Sequence, residues 1–165
     1  MVLAALCALS GPIHGGAANS VEEIFREFVA SDDLSGRIVE RLRLGERLLG
    51  FGHPLYPQGD PRSLALLDAL KRSLPKEQTQ VIFKIVSEVQ NLSGLTPHIE
   101  FALAATSILL RLPRGSALGM FLVGRSVGWI AHVIEQYASD AQIRPRARYV
   151  GILPGEPQEP APDIG

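Results

Sequence analysis

The sequence has a single cysteine, Cys7, and no excess of charge of either sign. One cysteine excludes a disulfide framework and a zinc ribbon, and its place in an apolar run predicts a buried, unreactive thiol. The 16 lysines and arginines are balanced by 17 aspartates and glutamates, which leaves a formal charge of −1. Without a basic excess there is no electrostatic footprint for nucleic acid or for an anionic membrane. These absences predict a soluble, cytoplasmic protein.

The N-terminal apolar run, residues 2–9, lacks the features of a targeting segment. No basic region precedes it, as a signal peptide requires, and it is too short to span a bilayer. Because the run is apolar on every side, it predicts a helix that is buried all round. Such a helix needs neighbours, so either later helices cover it or the chain is cut from a longer protein. The length of 165 residues fits one domain or slightly more.

No segment shows a convincing alternation of apolar and polar residues, and the predicted fold class is therefore all-α. A capping box at 20–23 predicts a helix from Ser20 to about Ala30. An apolar stripe predicts a second helix that ends at Gly50. The stripe consists of Ile38, Leu42, Leu44 and Leu48. Further helices are predicted over about 61–73, 75–92, 97–112 and 117–137.

Proline and glycine interrupt this helical pattern. Residues 50–61 contain three prolines and three glycines, which predicts an ordered, irregular loop before a helix capped by Asp60. Residues 113–116 predict a hinge-like break. In the last helix, glycines 119, 124 and 128 predict close packing against another helix. Residues 152–165 contain four prolines and three acidic residues without a basic one, which predicts a disordered tail.

Three segments place polar residues beside small or apolar ones, where a ligand can approach the backbone. His14 follows the first apolar run, His53 lies between a glycine and a proline, and Glu100 occupies the first turn of an apolar helix. Each also has a structural interpretation, because His14 can be an interior histidine and Glu100 can complement the helix dipole. The spacing is compatible with a metal site of two histidines and one carboxylate as well. His98 and His132 are interpreted as structural.

These segments resemble the motifs of the citrate synthase family, in that family's order and at its spacing, over residues 1 to about 151. Agreement of five ordered motifs by chance is negligible, whereas any one of them alone would be weak. The motifs are Gly11–Ala17 with Asn19, Gly50–His53 with Asp60-Pro61-Arg62, Pro97–Phe101, Gly124–His132 and Arg144-Pro145-Arg146.

The resemblance implies an all-helical fold with a large, dimer-forming domain and a small domain that closes over the substrates. Residues 1–15 would end a large-domain helix, 16–112 would form the small, CoA-binding domain, and 113–151 would return to the large domain. The first half of a family member, which includes an oxaloacetate-binding histidine, has no counterpart in this sequence. The chain therefore resembles a C-terminal portion, and the complete form is expected to be a homodimer.

The activity implied by the resemblance is the condensation of acetyl-CoA with oxaloacetate to give citrate and CoA. Glu100, at the position of a family aspartate, would take a proton from the methyl group of acetyl-CoA. His14 would donate a hydrogen bond to the resulting enol oxygen. His53 would polarise the ketone of oxaloacetate and donate a proton to the ketone oxygen.

The resemblance also implies the substrate-binding residues. Arg62, Arg125 and a partner-contributed Arg144 would bind the carboxylates of oxaloacetate, since arginine forks match carboxylates. CoA would lie along a loop of three residues, Gly50, Phe51 and Gly52. No metal and no permanently bound cofactor is needed. The alternatives are 2-methylcitrate synthase, citryl-CoA lyase, and a non-catalytic remnant that only binds CoA.

Overall fold

The computed structural model describes residues 2–9, 15–139, 144, 146 and 147, and throughout this part the chain is helical or irregular. Extended backbone pairs there only at an isolated antiparallel bridge between Phe51 and Pro97. The predicted all-α class is confirmed. The helices are α1 (Val2–Leu9), α2 (Gly15–Ala30), α3 (Leu34–Arg43), α4 (Pro61–Ser73), α5 (Lys76–Ser93), α6 (Ile99–Leu109) and α7 (Ser116–Ser139).

Helix α6 forms the centre of the core. Its residues 101–107 are buried, and it packs mainly against α2, α4 and α7. The ring centroid of Phe101 lies 5.2 Å from that of Phe25 and 4.7 Å from that of Phe51. Apart from Leu103, the buried residues that follow Phe101 have small side chains, and the Thr106 hydroxyl donates to the Ala102 carbonyl at 2.8 Å. Three helices can therefore approach α6 closely without leaving this hydroxyl unpaired.

The signals predicted around α4 and α5 are confirmed. The Asp60 side chain accepts a hydrogen bond from the Arg62 N–H, and Pro61 occupies the first turn of α4. Pro75 stands at the N-cap of α5, and Gly94 ends that helix in the left-handed conformation, with φ +71°. A proline start and a glycine stop thus fix the bounds of α5.

The boundaries predicted for the second and third helices are wrong. Helix α2 begins at Gly15, so residues 20–23 lie inside it and form no capping box. Glu22 instead lies on the buried face, where it bonds to other elements. Helix α3 ends at Arg43, Leu44 is exposed, and Leu48 enters the core from the loop that follows. Apolar spacing alone did not separate a helix from a loop that turns back into the core.

Helix α6 is shorter than predicted at both ends. Pro97 belongs to the bridge with Phe51, so the helix begins at Ile99. At its other end Arg111 adopts a positive φ of 53°, and the Leu112 N–H donates to the Ser107 carbonyl at 2.8 Å. This arrangement is a Schellman ending with arginine at the position that favours glycine. It leads into the predicted break at 113–116, which the structure confirms.

Two apolar helices stay largely uncovered by the part of the chain that the structure describes. No residue of α1 is buried and Cys7 is exposed, so the expected buried helix and buried thiol are both wrong here. The reason is that α1 packs mainly against α7. In α7 only Ala117 is buried, and a Cβ built on Gly119 or Gly124 would meet nothing within 4 Å. The predicted close helix packing at these glycines is therefore absent within the described residues.

Helix α7 is also long and apolar enough to cross a membrane, judged by length and composition alone. The core helix of a larger protein passes the same test. The predicted tail, 152–165, lies outside the described residues.

Candidate functional site

The predicted CoA loop and the start of α6 lie side by side. The Gly52 N–H donates to the Thr96 carbonyl, and the His98 N–H donates to the Gly50 carbonyl, each at 2.9 Å. Gly50 has a φ of +90°, and a Cβ there would lie 3.1 Å from the side chains of both Phe101 and Val21. Only glycine combines this backbone conformation with such close packing. The bridge therefore joins two of the motifs that the sequence placed 40 and more residues apart.

Asp60 connects the start of α4 with the start of α6. It is buried, with 1% of its surface exposed. One carboxylate oxygen accepts from the Arg62 backbone N–H and from the Arg62 Nε, at 3.0 and 2.9 Å. The other accepts from the Arg62 Nη2 at 2.8 Å and from the Ile99 N–H at 3.0 Å. A single carboxylate thus receives four hydrogen bonds from two helix starts.

These hydrogen bonds decide the charge state of the pair. Burial alone would raise the pKa of Asp60, but the hydrogen bonds from Arg62 and from the Ile99 N–H outweigh it and lower that pKa. The hydrogen bonds to Asp60 raise the pKa of Arg62, against the effect of burial, and the negative charges of Asp60 and Glu100 add to the increase. Both groups are therefore ionised at neutral pH.

Arg62 and Arg125 line one cavity of about 420 Å³ between α4, α6 and α7. Its apolar wall includes Ile99, Leu103 and Phe121. The Tyr56 ring lies under the Arg62 guanidinium, with 5.3 Å between the central carbon and the ring centroid. Two arginines at an otherwise apolar cavity favour a small anion, above all one with carboxylates that accept paired N–H donors. The structure thus brings two of the three predicted arginines together.

His53 and His98 face one another next to this region. Their ring centroids are 5.8 Å apart, in an edge-to-face arrangement. The Leu55 N–H donates to His53 Nδ1 at 3.2 Å, so in the neutral ring the proton resides on Nε2. Burial lowers the pKa of His98 to about 4, and the charge of His53 contributes in the same direction. His98 is therefore neutral at physiological pH, and His53 presents an N–H donor.

The remaining predicted residues are placed less closely. Glu100 is half-buried in the first turn of α6, near enough to Arg62 to influence its pKa. Arg144 is exposed, and His14 lies outside the described residues. Among the described residues no group of three or more histidine, cysteine, aspartate or glutamate side chains is arranged to hold a metal ion.

Sequence reasoning missed two polar residues, one in this region and one between α2, α6 and α7. His98 was interpreted as structural, although its ring contacts that of His53. Glu22 was interpreted as part of a cap, although it is 2% exposed and accepts hydrogen bonds from Arg26, Ser107 and the Gly115 N–H. The position of Glu22 could have predicted its burial, because this residue lies on the apolar stripe of α2 that includes Ala18 and Phe25.

The described part of the chain is an all-helical fold with Arg62 and Arg125 at one cavity and His53 in the loop that follows the glycines. The sequence matches the family described as "Citrate synthase, C-terminal domain" over residues 1–146, and the chain belongs to the citrate synthase family. A citrate synthase from Haloferax volcanii is 36% identical over 159 residues, which cover 91% of this chain and 41% of that protein. The chain spans about two fifths of the length of the curated relatives it matches.

Solved structures agree with this assignment. The citryl-CoA lyase of Hydrogenobacter thermophilus superposes with a TM-score of 0.79 at 25% identity, over 95% of this chain and 65% of that one. The citrate synthase of Thermoplasma acidophilum, in a ternary complex with carboxymethyl coenzyme A and oxaloacetate, gives 0.72 at 29% identity, over 97% and 45%.

Proposed function

We propose that this chain contributes the C-terminal portion of a citrate synthase-type active site, with residues from the small domain and from part of the large domain, and that this site condenses acetyl-CoA with oxaloacetate and water to give citrate and CoA. The observation that supports this most is the cavity that Arg62 and Arg125 share. The Arg62 guanidinium has five N–H donors. Asp60 accepts hydrogen bonds from two of them, one at Nε and one at Nη2. The remaining donors of Arg62 are available to one carboxylate of oxaloacetate, and Arg125 binds the other carboxylate. Arg144 of a partner subunit assists in this binding.

The carbon chemistry is assigned to three further residues. Glu100 accepts a proton from the methyl group of acetyl-CoA, and His14 donates a hydrogen bond to the enol oxygen. His53 donates its Nε2 proton to the ketone oxygen of oxaloacetate as the carbon–carbon bond forms. The bond from Leu55 N–H to His53 Nδ1 supports this role, because it holds the tautomer in which Nε2 is the donor. The start of α6 is held against the glycine loop, which keeps Glu100 near the place proposed for CoA.

CoA is assigned to the loop Gly50–Gly52 because this segment resembles the CoA-binding motif of the family. The missing Cβ atoms of both glycines face protein side chains, so the loop packs closely against Phe101 and Leu95. We further propose that the small domain comprises residues 16–112, that 1–15 and 113–151 belong to the large domain, and that the complete protein is a cytoplasmic homodimer. No metal and no permanent cofactor takes part in this scheme.

The test is release of CoA thiol from acetyl-CoA and from propionyl-CoA, each with oxaloacetate, together with the cleavage of citryl-CoA. We expect acetyl-CoA to be the preferred substrate in the complete protein. Preference for propionyl-CoA would indicate a 2-methylcitrate synthase, and efficient citryl-CoA cleavage without condensation would indicate a lyase. His53→Ala should abolish turnover, and His132→Ala, which removes an exposed histidine of α7, should leave it unchanged.

A second candidate is a chain that binds CoA without turning it over. Glu100 favours this candidate, because its side chain is one methylene longer than the aspartate that the family resemblance implies. Calorimetry of the chain with CoA alone tests it: binding that His53→Ala weakens, without thiol release from acetyl-CoA, supports this candidate. The absence of heat at millimolar CoA from folded protein contradicts both candidates.

A further inference from the structure

We infer that Asp60 is a positioning residue that sets the direction of the Arg62 guanidinium and holds the first turn of α6, and with it Glu100, in register with that arginine. This inference rests on the proposed function, because it assigns the carboxylate-binding role to Arg62. The Asp60 side chain accepts four hydrogen bonds, three from Arg62 and one from the Ile99 N–H.

Asp60 holds the Arg62 guanidinium in one orientation. The Arg62 side chain is 48% exposed, whereas the Asp60 side chain is fully buried. An exposed arginine normally samples many rotamers, but two parallel hydrogen bonds from Nε and Nη2 fix its plane. Tyr56 packs against the face of that plane. The donors of Nη1 are consequently held in one direction before any anion binds, which reduces the entropy lost on binding.

Asp60 also caps the first turn of α6. The Asp60 oxygen that accepts from Arg62 Nη2 also accepts from the Ile99 N–H, one residue before Glu100. The helix has no side-chain cap from its own N-cap residue, His98. Asp60 therefore provides a cap from a distant part of the sequence, 39 residues away. Loss of this bond releases the first turn of α6 relative to Arg62.

Asp60→Asn changes the charge and the position of Arg62, and the two changes act on anion binding in opposite directions. Asp60→Asn removes a negative charge next to Arg62, and this alone would strengthen the binding of any anion. Asparagine keeps one oxygen for the cap of α4, but its NH₂ group cannot accept from Arg62 Nη2 or from the Ile99 N–H. Loss of position therefore weakens the binding of a dicarboxylate, in the direction opposite to the change in charge.

The experiment is calorimetry of the full chain with oxaloacetate and with acetate, for the wild type, Asp60→Asn and the control Asp33→Asn. Asp33 is the matched control because its side chain caps α3 by accepting from the Gly36 N–H at 2.9 Å, and no arginine side chain bonds to that carboxylate in the described hydrogen bonds. We expect Asp60→Asn to weaken oxaloacetate binding by about 10- to 100-fold, as for a lost charge-assisted hydrogen bond. Asp60→Asn should bind acetate no more weakly than the wild type does. Asp33→Asn should change neither the affinity for oxaloacetate nor the affinity for acetate.

Unchanged or stronger oxaloacetate binding by folded Asp60→Asn overturns this inference and leaves the proposed function intact. If the wild type binds neither CoA nor oxaloacetate, that result contradicts both this inference and the proposed function. A second measurement needs no ligand and no variant: the Arg62 Nε–H of the wild type should exchange slowly with water in NMR spectra. Rapid exchange there would contradict a fixed guanidinium, even if Asp60→Asn failed to fold.

Discussion

Glu100, the proposed catalytic base, is half-buried in the first turn of α6 and lies near enough to Arg62 to influence the pKa of that arginine. We predict that Glu100→Gln in the complete protein abolishes exchange of the acetyl-CoA methyl protons with deuterated water, because an amide cannot accept the proton. We expect Glu100→Asp to lower turnover by about 100-fold, since a displacement of about 1 Å has that cost. The control is Glu77→Gln, which changes the acidic residue in the first turn of α5.

Faster proton exchange in Glu100→Asp would instead identify a degraded synthase, in which the longer side chain misplaces the base. Full activity in Glu100→Gln would show that this residue is not the base.

His98 makes the stability of the protein depend on pH. Burial lowers its pKa from 6.5 to about 4, so the unfolded chain binds the proton first as the pH falls. The contribution of the neutral imidazole is therefore complete above pH 6.5 and is lost progressively towards pH 4. We predict a loss of about 2.5 kcal/mol between pH 7 and 4.5 from this group.

Urea unfolding at several pH values measures this effect. In His98→Asn the decline over that range should be smaller by the same amount, whereas His132→Asn, on the exposed side of α7, should leave it unchanged. An identical pH dependence in wild type and His98→Asn would contradict the buried neutral imidazole.

At the scale of helices, Glu22 joins α2 to both ends of the α6–α7 connection. It accepts from the Ser107 hydroxyl at 3.5 Å, from the Gly115 N–H at 3.3 Å and from Arg26 at 2.7 Å. We predict that Glu22→Ala lowers the free energy of unfolding by about 2 kcal/mol, because the buried Ser107 hydroxyl and the half-buried Gly115 N–H lose their acceptor.

The matched control is Glu23→Ala. That side chain is 60% exposed and forms one long ion pair with Arg114, so its removal should cost less than about 0.5 kcal/mol. Equal effects of the two substitutions in chemical denaturation would show that Glu22 does not join these helices.

The helices that could be predicted are those whose ends have their own chemistry. Asp60-Pro61 and Pro75 predict the starts of α4 and α5 correctly, because a cap and a proline act within a few residues. The start of α6 could not be predicted from Pro97, since that proline pairs with Phe51 across the fold. Burial of Glu22 depended in the same way on residues 85 and 93 positions away.

For the molecule as a whole, α7 presents an apolar stripe to solvent within the described residues. The stripe consists of five exposed residues whose spacing alternates between four and three positions: Val123, Val127, Ile130, Ile134 and Tyr137. We predict that Val127→Lys with Ile134→Lys reduces self-association of the chain in sedimentation experiments and changes the free energy of unfolding by less than about 0.5 kcal/mol. Ile85→Lys, at a fully buried position of α5, should unfold the protein.

Unfolding by the paired lysine substitutions would show that the stripe is buried in solution.

Part of the site was open to prediction because its residues occur in ordered motifs. Arg62 and Arg125 were expected to bind the same substrate, and the structure does place them at one cavity. The partnership of Asp60 with Ile99, and the contact of His53 with His98, could not be derived from spacing. Both depend on how α4 and the glycine loop pack against α6, which no local pattern encodes.

The bridge between Phe51 and Pro97 has a consequence for the thermodynamics of ligand binding. A glycine loop in solution has many conformations, and a ligand that orders it loses affinity in proportion. Here two backbone hydrogen bonds and the contact of Gly50 with Phe101 already order the loop in the folded chain. The entropy is lost during folding rather than during binding, so a ligand of this loop should associate with little change in backbone order.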